Sequence, residues 1–192
     1  MTTDRRILAL LAALSAGAPL ALVLSLAILA GGTDPANRPH ATGCTRDLTP
    51  GTTIDGTVLH ADQITNARTI VQTGYDLAIP QPGESVAIAT ALQESGLRNL
   101  DHGDRDSLGL FQQRPSQGWG TPAEILDPAH AATSFYRGLL AIPGWQAMPT
   151  TQAAQAVQRS AYPDAYAKWD QTATDIVASL TGTCQPTLGP TP

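Results

Sequence analysis

Aromatic side chains make up only 5% of this 192-residue chain. Strands draw heavily on aromatic and β-branched residues, so the shortage points away from a β-sandwich and toward an Ala- and Leu-rich, mainly α fold. Lysine is rarer still: Lys168 is the only one, and the net charge is −5. A chain so poor in cations lacks the basic face that neutralises phosphates, which argues against nucleic acid as the main partner. Cysteine occurs twice, at Cys44 and Cys184, with no Cys-x-x-Cys pair and no His-Glu-x-x-His sequence. Neither a zinc centre nor any other metal or cofactor is implied. No repeat recurs, and alternating apolar–polar runs are absent, apart from room for a small β-hairpin within 97–113. The length suits one compact domain with short accessories.

Charge is also missing from a long stretch near the start. Arg5 and Arg6 precede an uncharged run over 7–30. At about 1.5 Å per residue that run is long enough to cross a bilayer of roughly 30 Å. Secretory signals have shorter apolar cores, of about 7–15 residues. The length therefore favours an uncleaved membrane anchor over 1–30, with the arginines on the cytoplasmic side. The rival reading is a long cleaved signal, with Ser25-Leu26-Ala27 as its cleavage site and Pro19 breaking the span. Both readings carry the remainder out of the cytoplasm, either as an extracytoplasmic domain of the cell membrane or as a secreted protein. Residues 31–50 are rich in Gly, Pro, Thr and Asn and read as a linker, 51–184 as the folded domain, and 185–192 as a disordered, proline-rich tail. Cys44 and Cys184 flank the domain, so a disulfide between them would tie its ends in an oxidising compartment. Closing so long a loop stabilises by about 4–5 kcal/mol on chain-entropy grounds. Two separate thiols are the alternative, which export disfavours.

Helical signals fill the domain. Asp62 caps a helix running toward Ala78, with Ile64, Ala67, Val71, Gly74 and Ala78 at helical spacing. Pro80 and Pro82 end it. Pro82-Gly83-Glu84-Ser85 opens a second helix, with Val86, Ala89, Leu92 and Gln93 on one side, and Gly96 terminates it. Thr121-Pro122-Ala123-Glu124 is a capping box with proline at the first helical position, and Asp127-Pro128 repeats the start signal. The next helix carries Ala129, Ala132, Phe135, Tyr136, Leu139 and Leu140 as an apolar stripe. Thr150 starts another. A last helix begins after Pro163, with Ala165, Trp169, Ile176, Val177 and Leu180 toward the core and Gly182 at its end.

One carboxylate falls where a helix raises its pKa. Glu94 lies in the last turn of the second helix, whose C-terminus carries partial negative charge, and partial burial acts in the same direction. Such an acid keeps its proton near neutral pH, as protonation of a glycosidic oxygen requires. Position alone fits a surface glutamate at a helix end better, since perturbed groups also occur outside active sites. The surrounding residues add specificity. Glu94-Ser95-Gly96, followed by Ser107-Leu108-Gly109-Leu110-Phe111-Gln112-Gln113-Arg114-Pro115, resembles the signature of the soluble lytic transglycosylases. That family has a lysozyme-like fold and the pattern Glu-Ser-Gly, a variable loop, then Gly-Leu-Met-Gln. Its late Ala-Tyr-Asn-Ala-Gly motif is similar to Ala161-Tyr162-Pro163-Asp164-Ala165. The likeness spans 83–169. Phe111 stands in place of the methionine, and the late motif has Pro163-Asp164 for Asn-Ala and no glycine.

The resemblance implies a lysozyme-like single domain that cleaves the β-1,4 bond between N-acetylmuramic acid and N-acetylglucosamine in peptidoglycan. Glu94 would be the single acid and then base, and a 1,6-anhydromuramoyl end would form. Ser95 would position the reacting sugar, Gln112 would line the glycan groove, and Tyr162 would lie close to the acid. Trp119 and Trp145, each preceded by a glycine on a loop, are candidate stacking surfaces for sugar rings or, alternatively, plugs of the core edge. Asp101, Asp104 and Asp106 offer the second carboxylate that would make the enzyme a muramidase hydrolase instead; paired with Arg98 or Arg105 they read as a solvated loop. A third reading is an inactive wall-binding or scaffold module of an envelope secretion or conjugation complex. The partners expected are peptidoglycan strands and, through 1–30, the membrane.

Overall fold

The run Val86-Ala87-Ile88-Ala89-Thr90-Ala91-Leu92 lies at the core of the described domain. In the computed structural model, which describes residues 48–160, 162 and 164–182, it forms the middle of helix α2 (Gln81–Ser95). No charge interrupts the run, and α2 is buried on every face along it, where helical spacing suggested a single buried side. Around α2 pack α1 (Ala61–Asp76), α4 (Pro128–Leu140), α5 (Thr150–Gln158) and α6 (Asp170–Thr181). A single turn, α3 (Pro122–Ile125), leads into α4. The only sheet among the described residues is the antiparallel pair β1 (Thr53–Ile54) and β2 (Thr57–Val58), with Thr53 opposite Val58. The chain is thus mainly helical with a minimal sheet.

The start signals act as their chemistry requires. The Thr121 hydroxyl accepts from the Glu124 N–H at 3.3 Å while Glu124 Oε2 accepts from the Thr121 N–H at 2.8 Å. Asp127 Oδ1 accepts from the N–H groups of Ala129 and His130, both at 2.9 Å, satisfying two of the orphan donors of α4. Ala132, Phe135, Tyr136 and Leu139 of the expected stripe are buried, whereas Ala129 and Leu140 face outward.

Several boundaries differ from the sequence reading. His60, not Asp62, caps α1, because Gln63 Oε1 reaches back to the His60 N–H at 2.8 Å. Ala78 lies beyond α1 with a left-handed φ of 54°. The small sheet sits at 53–58, and the expected hairpin within 97–113 reduces to one isolated bridge, Leu108 with Gln113, because the intervening residues turn inward. The last helix begins at Asp170, since the chain before it turns to bury Tyr166 completely. Leu48 is a core residue whose carbonyl accepts from Arg68 Nη2 at 3.2 Å, so the domain starts inside the expected linker. The apolar segment 1–30, Cys44 and Cys184, and the tail 185–192 lie outside the described residues. Among the described residues no helix is long and apolar enough to cross a membrane.

The end of α2 is locked by α1. Gly96 (φ 64°) and Leu97 (φ 60°) are left-handed in succession, so the chain reverses sharply just past Glu94. Left-handed backbone costs an L-residue such as Leu97 roughly 1–2 kcal/mol. Two buried amides of α1 hold it: Gln63 Nε2 donates to the Gly96 carbonyl at 2.7 Å, and Asn66 Nδ2 to the Leu97 carbonyl at 2.8 Å. The Leu97 side chain is fully buried, which adds apolar burial to the same turn. Asn66→Ala leaves the buried Leu97 carbonyl without that donor and is expected to lower stability by about 1–3 kcal/mol in urea unfolding. A change within about 0.5 kcal/mol, the range of ordinary surface substitutions, would show that the reversal does not depend on α1.

Candidate active site

The last turn of α2 opens onto a cleft of about 610 Å³, within the range of ligand-binding pockets. Glu94 lines it together with Gln112, Arg114 and Trp119 on one side and Gln158, Arg159 and Ser160 from the end of α5. Glu94 is the only carboxylate among the described residues of this lining. A second depression, of about 500 Å³, lies over α1 and includes exposed Asp76, whose carboxylate accepts from Gln72 Nε2; it brings no half-buried acid together with other reactive groups. Among the described residues no three His, Cys, Asp or Glu side chains gather to hold a metal ion.

Glu94 is half-buried, and two opposing effects act on it. Burial is the larger and pushes its carboxyl above the usual glutamate range; hydrogen bonds from Tyr166 and Gln158 favour the ionised form and oppose it. The net direction is upward. Tyr166 Oη donates to Glu94 Oε1 at 2.7 Å. Burial, and then the neighbouring Glu94 carboxylate, hold the Tyr166 phenol well above its ordinary range, so it remains a donor across physiological pH.

The two halves of the motif meet through backbone carbonyls. Ser95 Oγ donates to the Leu110 carbonyl at 2.8 Å and accepts from the Arg98 N–H at 3.2 Å. Gln158 Nε2 donates to the Phe111 carbonyl at 2.8 Å. The Phe111 ring stacks on Phe135, with centroids 4.7 Å apart and planes 12° from parallel. Gly109 has φ 73°, and a Cβ there would fall 2.6 Å from the Ile125 carbonyl oxygen, so glycine is required. Leu110 and Phe111 are thereby plugged into the core, and Gln112 (φ 47°) swings back to the cleft. Two of the cleft-lining residues, Gln112 and Arg159 (φ 52°), are non-glycine residues in left-handed backbone, a strain that is found more often at functional sites than elsewhere.

The charged loop 101–106 supports this arrangement and does not enter it. The His102 carbonyl accepts from Gln112 Nε2 at 3.3 Å, and Gly103 lies so close that a Cβ would sit 1.9 Å from Gln112 Oε1. Asp106 accepts from the Ser116 N–H and hydroxyl and from Arg114 Nε at 2.6 Å, which holds its carboxyl well below the usual range. Asp101 pairs with His102 at 2.8 Å, and Asp104 lies 3.9 Å from Arg105, both in solvent. None of the three lines the Glu94 cleft.

The sequence-derived site residues divide accordingly. Glu94, Gln112 and Trp119 come together in the cleft. Ser95 is buried and turned into the loop backbone, so it acts on Leu110 and not on a ligand. Trp145 is a correction: only 3% exposed, it packs on Gly83 near the opposite end of α2, where a Cβ would meet its ring at 2.8 Å. Tyr162 is also corrected. It is 74% exposed, and the tyrosine on the acid is Tyr166. The chain contains Ala-Tyr twice, at 161–162 and at 165–166, and the missing Asn-Ala-Gly after the first was the signal that the second pair deserved equal weight. Gln158 and Arg159 stand outside every motif, and only the packing of α5 brings them to the cleft.

No family model matches the chain, and no curated protein matches it either. Because the Tyr166 phenol favours ionised Glu94, Tyr166→Phe is expected to shift the Glu94 carboxyl titration, followed by carbon NMR, to higher pH. An unchanged or lowered midpoint would mean that the phenol does not stabilise the carboxylate.

Proposed function

We propose that the chain is an exported peptidoglycan lytic transglycosylase with a lysozyme-like domain. The observation that carries this reading is Glu94: a half-buried acid with an upward-shifted pKa, accepting a hydrogen bond from a phenol, and the single carboxylate among the described residues lining a cleft of about 610 Å³. The resemblance of 94–96 and 107–115 to the family signature supplies the substrate class.

The chemistry follows from one group used twice. Protonated Glu94 donates to the glycosidic oxygen as the C1–O4 bond of the muramoyl residue breaks, and positive charge develops at C1. The carboxylate so formed is the state that the Tyr166 hydrogen bond favours. It then takes the proton of the muramoyl 6-hydroxyl as O6 bonds to C1. One C–O bond is exchanged for another, no water is consumed, and the acid is regenerated. A hydrolase would place a second carboxylate about 5–9.5 Å from the first to attack the sugar or activate water. Asp106 is engaged by Arg114 and Ser116, and Asp101 and Asp104 stand outside the cleft, which supports the lyase over the muramidase. Gln112 and Trp119 fit groove contacts to the glycan, the indole as a stacking face. Anchoring through 1–30, or secretion after cleavage, and a Cys44–Cys184 bridge complete the proposal from sequence.

Digestion of purified peptidoglycan by the full chain, with products resolved by mass spectrometry, tests it. Anhydromuropeptides are expected. Reducing muramoyl ends would replace the lyase with a hydrolase, and wall binding without products would leave a scaffold. Glu94→Gln is expected to lower turnover by about 10²–10⁴-fold while the protein stays folded. Activity is expected to fall as pH rises through the Glu94 pKa, because the acid form starts the reaction; a rate indifferent to Glu94 would remove the assignment.

A further inference from the structure

The chain carries a net charge of −5, yet two arginines face a single carboxylate in the described lining of its cleft. Arg114 and Arg159 both line it, against Glu94 as the single acid among the described lining residues. The two guanidiniums differ in what they already hold. Arg114 is committed: Nε donates to Asp106 Oδ1 at 2.6 Å and Nη2 to Ser116 Oγ at 3.2 Å. Arg159 is exposed and forms no ion pair with any described residue.

Its backbone is nonetheless fixed. Arg159 caps α5 in left-handed backbone, with its N–H on the Gln155 carbonyl at 2.8 Å, and the Gln155 side-chain amide donates to the carbonyl of the next residue, Ser160. A left-handed conformation costs roughly 1–2 kcal/mol, and a cation at an exposed helix C-terminus recovers only about 0.3–1 kcal/mol. Capping by itself therefore favours glycine at this position. What the guanidinium adds is a set of donors in a planar fork at the edge of the cleft, suited to bidentate contact with a carboxylate.

We infer that Arg159 is a carboxylate-reading subsite of the Glu94 cleft, engaging the acidic substituent of a muramoyl residue in the bound glycan. This rests on the reading of the cleft as a peptidoglycan site. Two sources supply the carboxylate: the 3-O-lactyl group of a strand without its peptide, and the acidic residues of an intact stem peptide.

The test uses the full chain with Glu94→Gln, in which turnover is slowed enough for binding to be measured, and three muramoyl–glucosaminyl oligosaccharides. One has bare lactyl carboxylates, one has intact stems, and one has its lactyl carboxylates capped as methylamides. Binding is measured by calorimetry at low and high salt. The capped ligand is expected to bind about tenfold more weakly than at least one carboxylate ligand, with the gap narrowing at high salt. Adding Arg159→Gln closes the gap, while Arg159→Lys retains part of it. A gap shown by bare strands assigns the lactyl group, and one shown by stem-bearing strands alone assigns the peptide. Matched thermal melts keep a folding defect from imitating the result. Equal affinity for all three ligands, or a gap that survives Arg159→Gln, overturns the subsite but leaves the lyase reading intact when the chain with Glu94 still releases anhydro products. Failure to bind any of the three, together with no turnover by that chain, overturns both.

Discussion

The reversal after Glu94 governs the rest of the site. Two consecutive left-handed residues, Gly96 and Leu97, stop α2 at the point where it emerges from the core. Their carbonyls are held by the Gln63 and Asn66 amides of α1. A buried carbonyl without a donor is costly, so these two bonds fix where the helix ends. Were α2 one turn longer, Glu94 would no longer lie in its last turn. The position of the acid is therefore set by a polar clamp from a neighbouring helix as well as by its own helix.

From that point the structure divides the work between core and cleft. Ser95, Leu110 and Phe111 face inward and are satisfied there by a hydroxyl–carbonyl bond, apolar burial and an aromatic stack. Glu94 and Gln112 face the cleft. The alternation makes the apolar part of the motif a foundation and the polar part a working surface. Gln158 joins the two, because its amide supports the Phe111 carbonyl and, lining the same cleft, favours the ionised form of Glu94. The electrostatic state of Glu94 is then a balance in which burial outweighs two hydrogen bonds. An acid poised this way gives up a proton more readily than a fully desolvated one and holds it longer than an exposed one, which suits the donor-then-acceptor role proposed for Glu94.

Much of the secondary structure was legible because its determinants are local. The Thr121 and Asp127 caps, the Gly96 and Gly182 terminators and the central part of the α4 stripe, Ala132 to Leu139, are set by short-range spacing and appear where that spacing places them. The expected hairpin was less so, since glycines and charges at 101–109 describe a turn but not whether it pairs with itself or seats Gln112. Trp145 and Tyr162 show the same limit for side chains. A tryptophan beside a left-handed glycine reads as a loop platform until Gly83 on α2 provides a slot for it. A tyrosine in a family-like motif reads as the partner of the acid until the turn before α6 buries a different one.

By itself the sequence determined a mainly helical domain, because helix ends and caps are written within short windows, and Glu94 stood out in it only through the resemblance of 94–96 and 107–115 to a family signature. Tertiary structure alone decided which tyrosine meets the acid, which tryptophan belongs to the core, that Ser95 serves the loop backbone, and that Arg159 reaches the cleft. Those outcomes depend on contacts between residues 15 to 72 positions apart, such as Ser95 with Leu110 and Glu94 with Tyr166. Over such separations no local propensity acts, and burial together with hydrogen-bond satisfaction selects the partner.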